Sequence, residues 1–279
     1  MFLHCGQFSL DLSHPLVMGI VNVTPDSFSD GGLHSRSDAA IDHAHQLIAA
    51  GADIIDVGGE STRPGAQPVS VQEELDRVIP VIRALGGFSI PVSIDTCKPQ
   101  VMRAAIAAGA QMVNDIDALQ NAEALSAVTA SRVAVCLMHK QGTPQTMQQH
   151  PHYQNVVAEV SDFLRGRIAV AEAAGIARDR IVIDPGFGFG KTLEHNLDLL
   201  RELGRLRELG VPVLAGLSRK SMLGAITGQN VSQRQSASVV AALIAVQRGA
   251  AIVRVHDVRE TVDALKIWNA VNSQKRNSR

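Results

Sequence analysis

The chain has 279 residues, 46% of them hydrophobic and 19% charged, enough to bury a sizeable core and too apolar to be disordered. Lys+Arg 26 against Asp+Glu 27 leaves a net charge of −1, which argues against a nucleic-acid-coating protein and against a polybasic membrane binder. Aromatic residues make up 3%, with one Trp and one Tyr, so stacking platforms for single strands are not expected either.

Short apolar runs alternate with longer helical patterns from end to end. The predicted strands are 16–22, 53–57, 91–95, 111–115, 133–138, 181–184, 213–217 and 251–255. Between them, stretches 38–50, 71–85, 98–108, 154–174, 193–209 and 232–248 carry apolar residues at three- and four-residue spacing, the mark of amphipathic helices. The pattern over 121–130 is a shorter, weaker helix. Gly51, Gly109 and Gly249 each close a helix before a strand and suit the left-handed position there. Eight β/α units fit a single (β/α)8 barrel over 1–279, a fold of roughly 250 residues, with 271–279 as a frayed tail. An open doubly wound sheet shares the alternation but usually has fewer strands.

Cys5, Cys97 and Cys136 form neither a disulfide framework nor a zinc motif, as in a reducing cytosol. Residues 1–20 lack a basic segment followed by an apolar run, and no apolar stretch approaches the ~20 residues that span a bilayer. The expectation is a soluble cytoplasmic protein.

Barrel enzymes work at the C-terminal ends of their strands. Those ends carry Asn22, Asp56, Asp95, Asn114-Asp115, His139, Asp184, Ser218-Arg219-Lys220 and Arg254-Val255-His256. Any one of these is as readily a cap for the next helix, and Asp56 and Asp115 could be only that. The full ring reads as a site. Arg254, His256, Arg63, Asn22, Ser61 and Thr62 suit a phosphate or diphosphate. Asp95, Asn114 and Asp184 suit a flat, amino-bearing heterocycle, because carboxylates accept from ring N–H and exocyclic NH2 groups.

Several features carry less than they promise. GFGFGKT (186–192) has its first glycine one residue too late for a phosphate-binding P-loop. It reads as a flexible loop with Lys191 solvated, and with Phe187 and Phe189 either covering a ligand or packed under the loop. The pairs His43/His45 and His150/His152 lack partners at metal spacing. Cys97 has no histidine partner that would make it a nucleophile.

The strings GIVNVTPDSFSDGG (19–32), DIIDVGGESTRPGA (53–66), VSIDT (92–96), NDI (114–116), IDPGFGFGKT (183–192), GLSRKSMLG (216–224) and VRVHDV (253–258) resemble the dihydropteroate synthase family in order and over nearly the whole chain. The resemblance implies a (β/α)8 barrel, normally a homodimer, and a transferase of folate biosynthesis. It would join 6-hydroxymethyl-7,8-dihydropterin diphosphate to p-aminobenzoate with Mg2+, the step that sulfonamides block. It implies Asn22 on the metal; Asn22, Thr62, Arg254 and His256 on the diphosphate; and Asp95, Asn114, Asp184 and Lys220 on the pterin. Thr62, Arg63, Pro64, Phe189, Ser218 and Lys220 would shape the p-aminobenzoate pocket. Lys220, Arg254, His256 and Arg63 would carry the catalytic charge. Loops 24–32 and 58–66, rich in Gly, Ser, Thr and Asp, are expected to order on ligand.

The rivals are a methyltetrahydrofolate–corrinoid methyltransferase, a Schiff-base aldolase using Lys220, and an inactive pterin-binding paralogue. The first has no use for the diphosphate donors. The aldolase needs a lysine of depressed pKa, which borohydride trapping would detect.

Overall fold

The computed structural model describes all residues except 25–32, 63–64, 144 and 273–279, and the side chains of 33–36 are likewise left out. Eight parallel strands form one sheet: β3 (Leu16–Asn22), β4 (Ile54–Gly58), β5 (Val92–Asp95), β6 (Met112–Asp115), β7 (Ala134–Met138), β8 (Ile181–Asp184), β9 (Leu214–Ala215) and β10 (Ile252–Val255). Their order is β8-β7-β6-β5-β4-β3-β10-β9, and a parallel bridge between Ile183 and Val213 joins the two ends. The sheet therefore closes into a barrel. Strands such as LVMGIVN are buried on both faces, which is why they read as continuous apolar runs rather than alternating ones.

Around it lie α1 (Leu33–Ala49), α2 (Val71–Leu85), α3 (Pro99–Ala108), α4 (Ala122–Thr129), α5 (Val156–Ala173), α6 (Leu193–Arg201), α7 (Ser221–Thr227), α8 (Gln235–Gln247) and α9 (Val258–Asn272). Gly51, Gly109 and Gly249 have φ of +100°, +111° and +103°, the left-handed turn expected after a helix. The weak pattern at 121–130 is a helix because Asn121 caps it, accepting from Glu123 N at 2.8 Å.

Four elements differ from the sequence reading, one being α9, which no predicted segment covers and which takes in 271–272 of the expected tail. Residues 193–209 break after α6 into a 3-10 turn over Leu203–Leu209 that ends at Gly210. The short α7 lies where no helix is expected. An antiparallel hairpin, β1 (Phe2–Cys5) and β2 (Phe8–Asp11), precedes the barrel. Its Leu3 and Cys5 pack with Leu16, Met18, Ile54, Met112, Cys136, Val182 and Ile252, so the hairpin plugs the barrel's N-terminal end.

Side chains on a strand alternate between faces. The inward series is apolar low in the barrel, at Met18, Ile54, Met112, Val182 and Ile252, with the small, buried Ser93 as its β5 member. Two and four residues further along, the same series becomes Asn22, Asp56, Asp95, Asn114, Asp184, Arg254 and His256. Packing holds the lower layers, and the top is left for polar groups. A cavity of about 590 Å³ opens at the opposite end, beside Leu12, His14, Pro212 and Trp268. It lies away from the strand C-termini that carry this polar ring.

Candidate active site

Register places the mouth residues side by side. Asn22 pairs across to Gly58, Gly58 to Asp95, and Asp95 to Asn114. Asp56, one layer lower, is fully buried. It does not cap a helix: its Oδ2 accepts from Arg254 Nε at 2.6 Å and from Asn114 Nδ2 at 3.1 Å. Arg254 Nη2 donates to Asp95 Oδ2 at 2.7 Å. Asp115, by contrast, faces away from the barrel axis and accepts from Asp117 N and Leu119 N, each at 2.8 Å. That aspartate is a turn cap.

The two zones read from the sequence are therefore one. Arg254, assigned there to the diphosphate side, lies clamped between two carboxylates of the heterocycle side. Ser218 Oγ and His256 Nδ1 are 3.0 Å apart, which joins the expected p-aminobenzoate and diphosphate groups in the same way. Asp184 is 5% exposed, and its Oδ1 accepts from Gly186 N at 2.7 Å.

Burial dominates the electrostatics. It raises the pKa of Asp95 despite the adjacent Arg254, and raises that of Asp184 against the Gly186 N–H, Lys220, Arg254 and Lys191. It lowers Lys220 to about 8, against the pull of Asp184. Arg254 moves upward because Asp56 and Asp95 together outweigh its burial. The result is a cup of buried carboxylates around one guanidinium and one half-buried lysine. It can accept from several N–H groups of a flat ligand while donating to an anion at its rim.

Lys220 Nζ sits 4.1 Å from the centre of the Phe189 ring. Its loop is held from behind. Arg219, at φ +58°, donates to Asp257 Oδ1 at 2.6 Å, and Arg234 Nη1 donates to the carbonyls of Arg219 at 3.1 Å and Lys220 at 3.4 Å. Sequence reading missed Asp257 and Arg234, which show only once α8 is folded against β10.

The 185–191 segment corrects the expectations of a flexible loop and of a solvated Lys191, and settles Phe187 as a packing residue. It is packed, not flexible. Gly186 has φ +67°, and a Cβ there would lie 1.9 Å from the His139 carbonyl oxygen. Phe187 is 1% exposed and belongs to the core, leaving Phe189 alone toward the mouth. Lys191 is not solvated; its ammonium is buried and its pKa falls to about 7 because of that burial. Gly186→Ala is expected to combine a left-handed penalty of about 1–2 kcal/mol with a backbone clash. A drop of at least several degrees in the thermal midpoint would register it.

Thr62 lies half-buried at the edge of the second loop, whereas Arg63 and Pro64 fall outside the described residues, as does 25–32 of the first loop. The base of the second loop is pinned by charge: Arg77 Nη1 donates to Gly59 O at 2.7 Å, and Lys98 pairs with Glu60 and the buried Glu74. No group of three His, Cys, Asp or Glu among the described residues is arranged to hold a metal. Mg2+ commonly keeps several waters and takes one or two protein oxygens plus substrate phosphates. The lone Asn22 amide oxygen, at the mouth beside Gly58, fits an ion that arrives with a diphosphate.

Residues 18–256 match the pterin-binding enzyme family. The chain is 53% identical over 272 residues to the dihydropteroate synthase of Escherichia coli, covering 97% of this chain and 96% of that one. A structure of Xanthomonas albilineans dihydropteroate synthase with 4-aminobenzoic acid superposes with TM-score 0.93 at 56% identity, covering 98% of each chain. One of the same organism's enzyme in complex with 7,8-dihydropteroate gives TM-score 0.89 at 52% identity, covering 98% of this chain and 100% of that one.

Proposed function

The chain belongs to the pterin-binding enzyme family and, within it, to the dihydropteroate synthases, and from that premise we propose how its barrel mouth works. The reaction is a transfer: 6-hydroxymethyl-7,8-dihydropterin diphosphate and p-aminobenzoate give 7,8-dihydropteroate and diphosphate. The observation that carries the reading is the cup of buried Asp56, Asn114 and Asp184 and partly buried Asp95 around Arg254.

Asp95, Asn114, Asp184 and Lys220 hold the pterin by hydrogen bonds. Asn22, Thr62, Arg63, Arg254 and His256 receive the diphosphate. The carbon–oxygen bond breaks with its electron pair going to the diphosphate, so negative charge grows at the rim and positive charge on the pterin methylene. Arg254 and His256 meet the first, and the carboxylates favour the second. The arylamine nitrogen then bonds to the methylene carbon and releases a proton. An aniline nitrogen is nucleophilic at neutral pH, so no strong base is needed. Thr62, Arg63, Pro64, Phe189, Ser218 and Lys220 frame the p-aminobenzoate. Bound Mg2+ would neutralise charge on the diphosphate oxygens, with Asn22 as its protein ligand.

A homodimer and a cytoplasmic location complete the proposal. Apolar side chains at Val240 and Ile244 on α8, and at Ile267 and Val271 on α9, are exposed on neighbouring helices and support a covered face there. Cys5, Cys97 and Cys136 are free thiols, and no described helix is long and apolar enough to cross a membrane.

Diphosphate release by purified protein, with each substrate omitted in turn, tests the reaction. Release is expected only with both substrates and Mg2+; binding without turnover would leave a pterin-binding protein and no enzyme. The pH profile of kcat/KM for the pterin substrate gives a second test. Efficiency should fall as pH rises through about 8, where Lys220 loses its proton. It should fall on the acid side above the usual carboxylate range, because Asp95 takes up a proton early.

A further inference from the structure

The loop 140–152 carries no recognisable motif, and Lys191 has no part in the reaction above. The structure brings the two together on one loop. Lys191 is 3% exposed, and its hydrogen-bond partners among the described residues are all neutral. Its ammonium donates to Gly186 O at 2.9 Å, Phe189 O at 3.1 Å and His139 Nδ1 at 3.0 Å. In its ammonium form Lys191 can only donate, which places the His139 proton on Nε2, and the ring stays neutral because burial drives its pKa down to about 3. Burying such a charge is costly, and an apolar side chain would fill the space without that cost.

The other carbonyls of the loop are taken from the opposite side. Tyr153 Oη donates to Gly190 O at 2.9 Å, and Gln148 Nε2 donates to Gly188 O. A Cβ at Gly190 would meet Gln141 O at 2.4 Å, so the two backbones lie in contact. Met147 packs against Phe189. Phe189 is thus held through its own carbonyl, both neighbouring glycines and its ring, with that ring turned to Lys220.

We propose that Lys191 and the strap formed by 139–143 and 145–153 are positioning elements for the arylamine site, fixing Phe189 against Lys220 and setting p-aminobenzoate affinity without touching either substrate. This rests on the reaction proposed above. Tyr153→Phe removes one donor and little volume; Lys191→Met keeps the stem and removes the amino group that donates to Gly186 O and Phe189 O. Steady-state kinetics, with thermal melting as a control, should show the KM for p-aminobenzoate rising about fivefold in Tyr153→Phe and tenfold or more in Lys191→Met. The KM for the pterin diphosphate should stay within twofold in both. If Lys191→Met does not fold, Tyr153→Phe decides. An unchanged p-aminobenzoate KM, or parallel rises in both KM values, would overturn the proposal and make the strap merely structural. A wild-type protein that forms no dihydropteroate would instead overturn the reaction itself, and this inference with it.

Discussion

Replacing Arg254 with alanine is expected to lower kcat/KM by about a thousandfold and to destabilise the fold as well. Arg254 is the cation between Asp56 and Asp95, with contacts of 2.6 and 2.7 Å. Removing one partner of a buried ion pair strands the rest, typically at 3–5 kcal/mol. The guanidinium keeps a little exposure, so the low end, about 3 kcal/mol, applies. That corresponds to a fall in thermal midpoint of roughly 6–10 °C. The kinetic loss adds about 1.5–3 kcal/mol for charge-assisted contacts to the diphosphate to the displacement of Asp95 from the pterin. Adding Asp56→Asn to the same chain should recover much of the stability and none of the turnover. An Arg254→Ala protein that melts with the parent would show that the guanidinium does not balance the cup.

Asp184→Ala carries the second large effect. The carboxylate orients Gly186 through a 2.7 Å hydrogen bond, lies near Lys220 and, in the reaction proposed above, accepts from the pterin. Losing a charged hydrogen bond to a buried ligand costs about 1.5–3 kcal/mol, or roughly 10- to 150-fold in affinity. Asp184→Asn keeps an acceptor for Gly186 N and should recover the thermal midpoint without recovering the pterin. The titration of Lys220 should move down in either variant, because the nearby anion that raises it is gone. The alkaline limb of the pH profile would then shift below about 8. An alkaline limb that stays in place would separate Lys220 from Asp184.

The barrel was legible because its strands are short, apolar and separated by helical patterns, and because Gly51, Gly109 and Gly249 mark the turns. The mouth was legible because strand-end Asn22, Asp95, Asn114, Asp184, Arg254 and His256 have no packing role that requires such residues. The β1–β2 hairpin was not, since four-residue strands before the first β/α unit leave almost no periodic signal. Asp56 was set aside as a possible cap. Its place two residues before Gly58 in the inward series was the signal available for it. Lys191 was misread because a lysine after a glycine run is solvated in most settings. Only the close approach of 186–190 to 139–141 provides the carbonyls that bury it.

Pterin binding in the acid-lined cup underlies every step proposed above, and calorimetry without p-aminobenzoate reads it directly. Titrating 6-hydroxymethyl-7,8-dihydropterin diphosphate into the wild-type protein and into Asn114→Ala leaves turnover aside. Asn114 donates to Asp56 at 3.1 Å and faces the same cup. One site per chain is predicted for the wild type, with affinity reduced about tenfold or more in the variant. Equal affinity in the two proteins, or no binding to the wild type, would contradict the account.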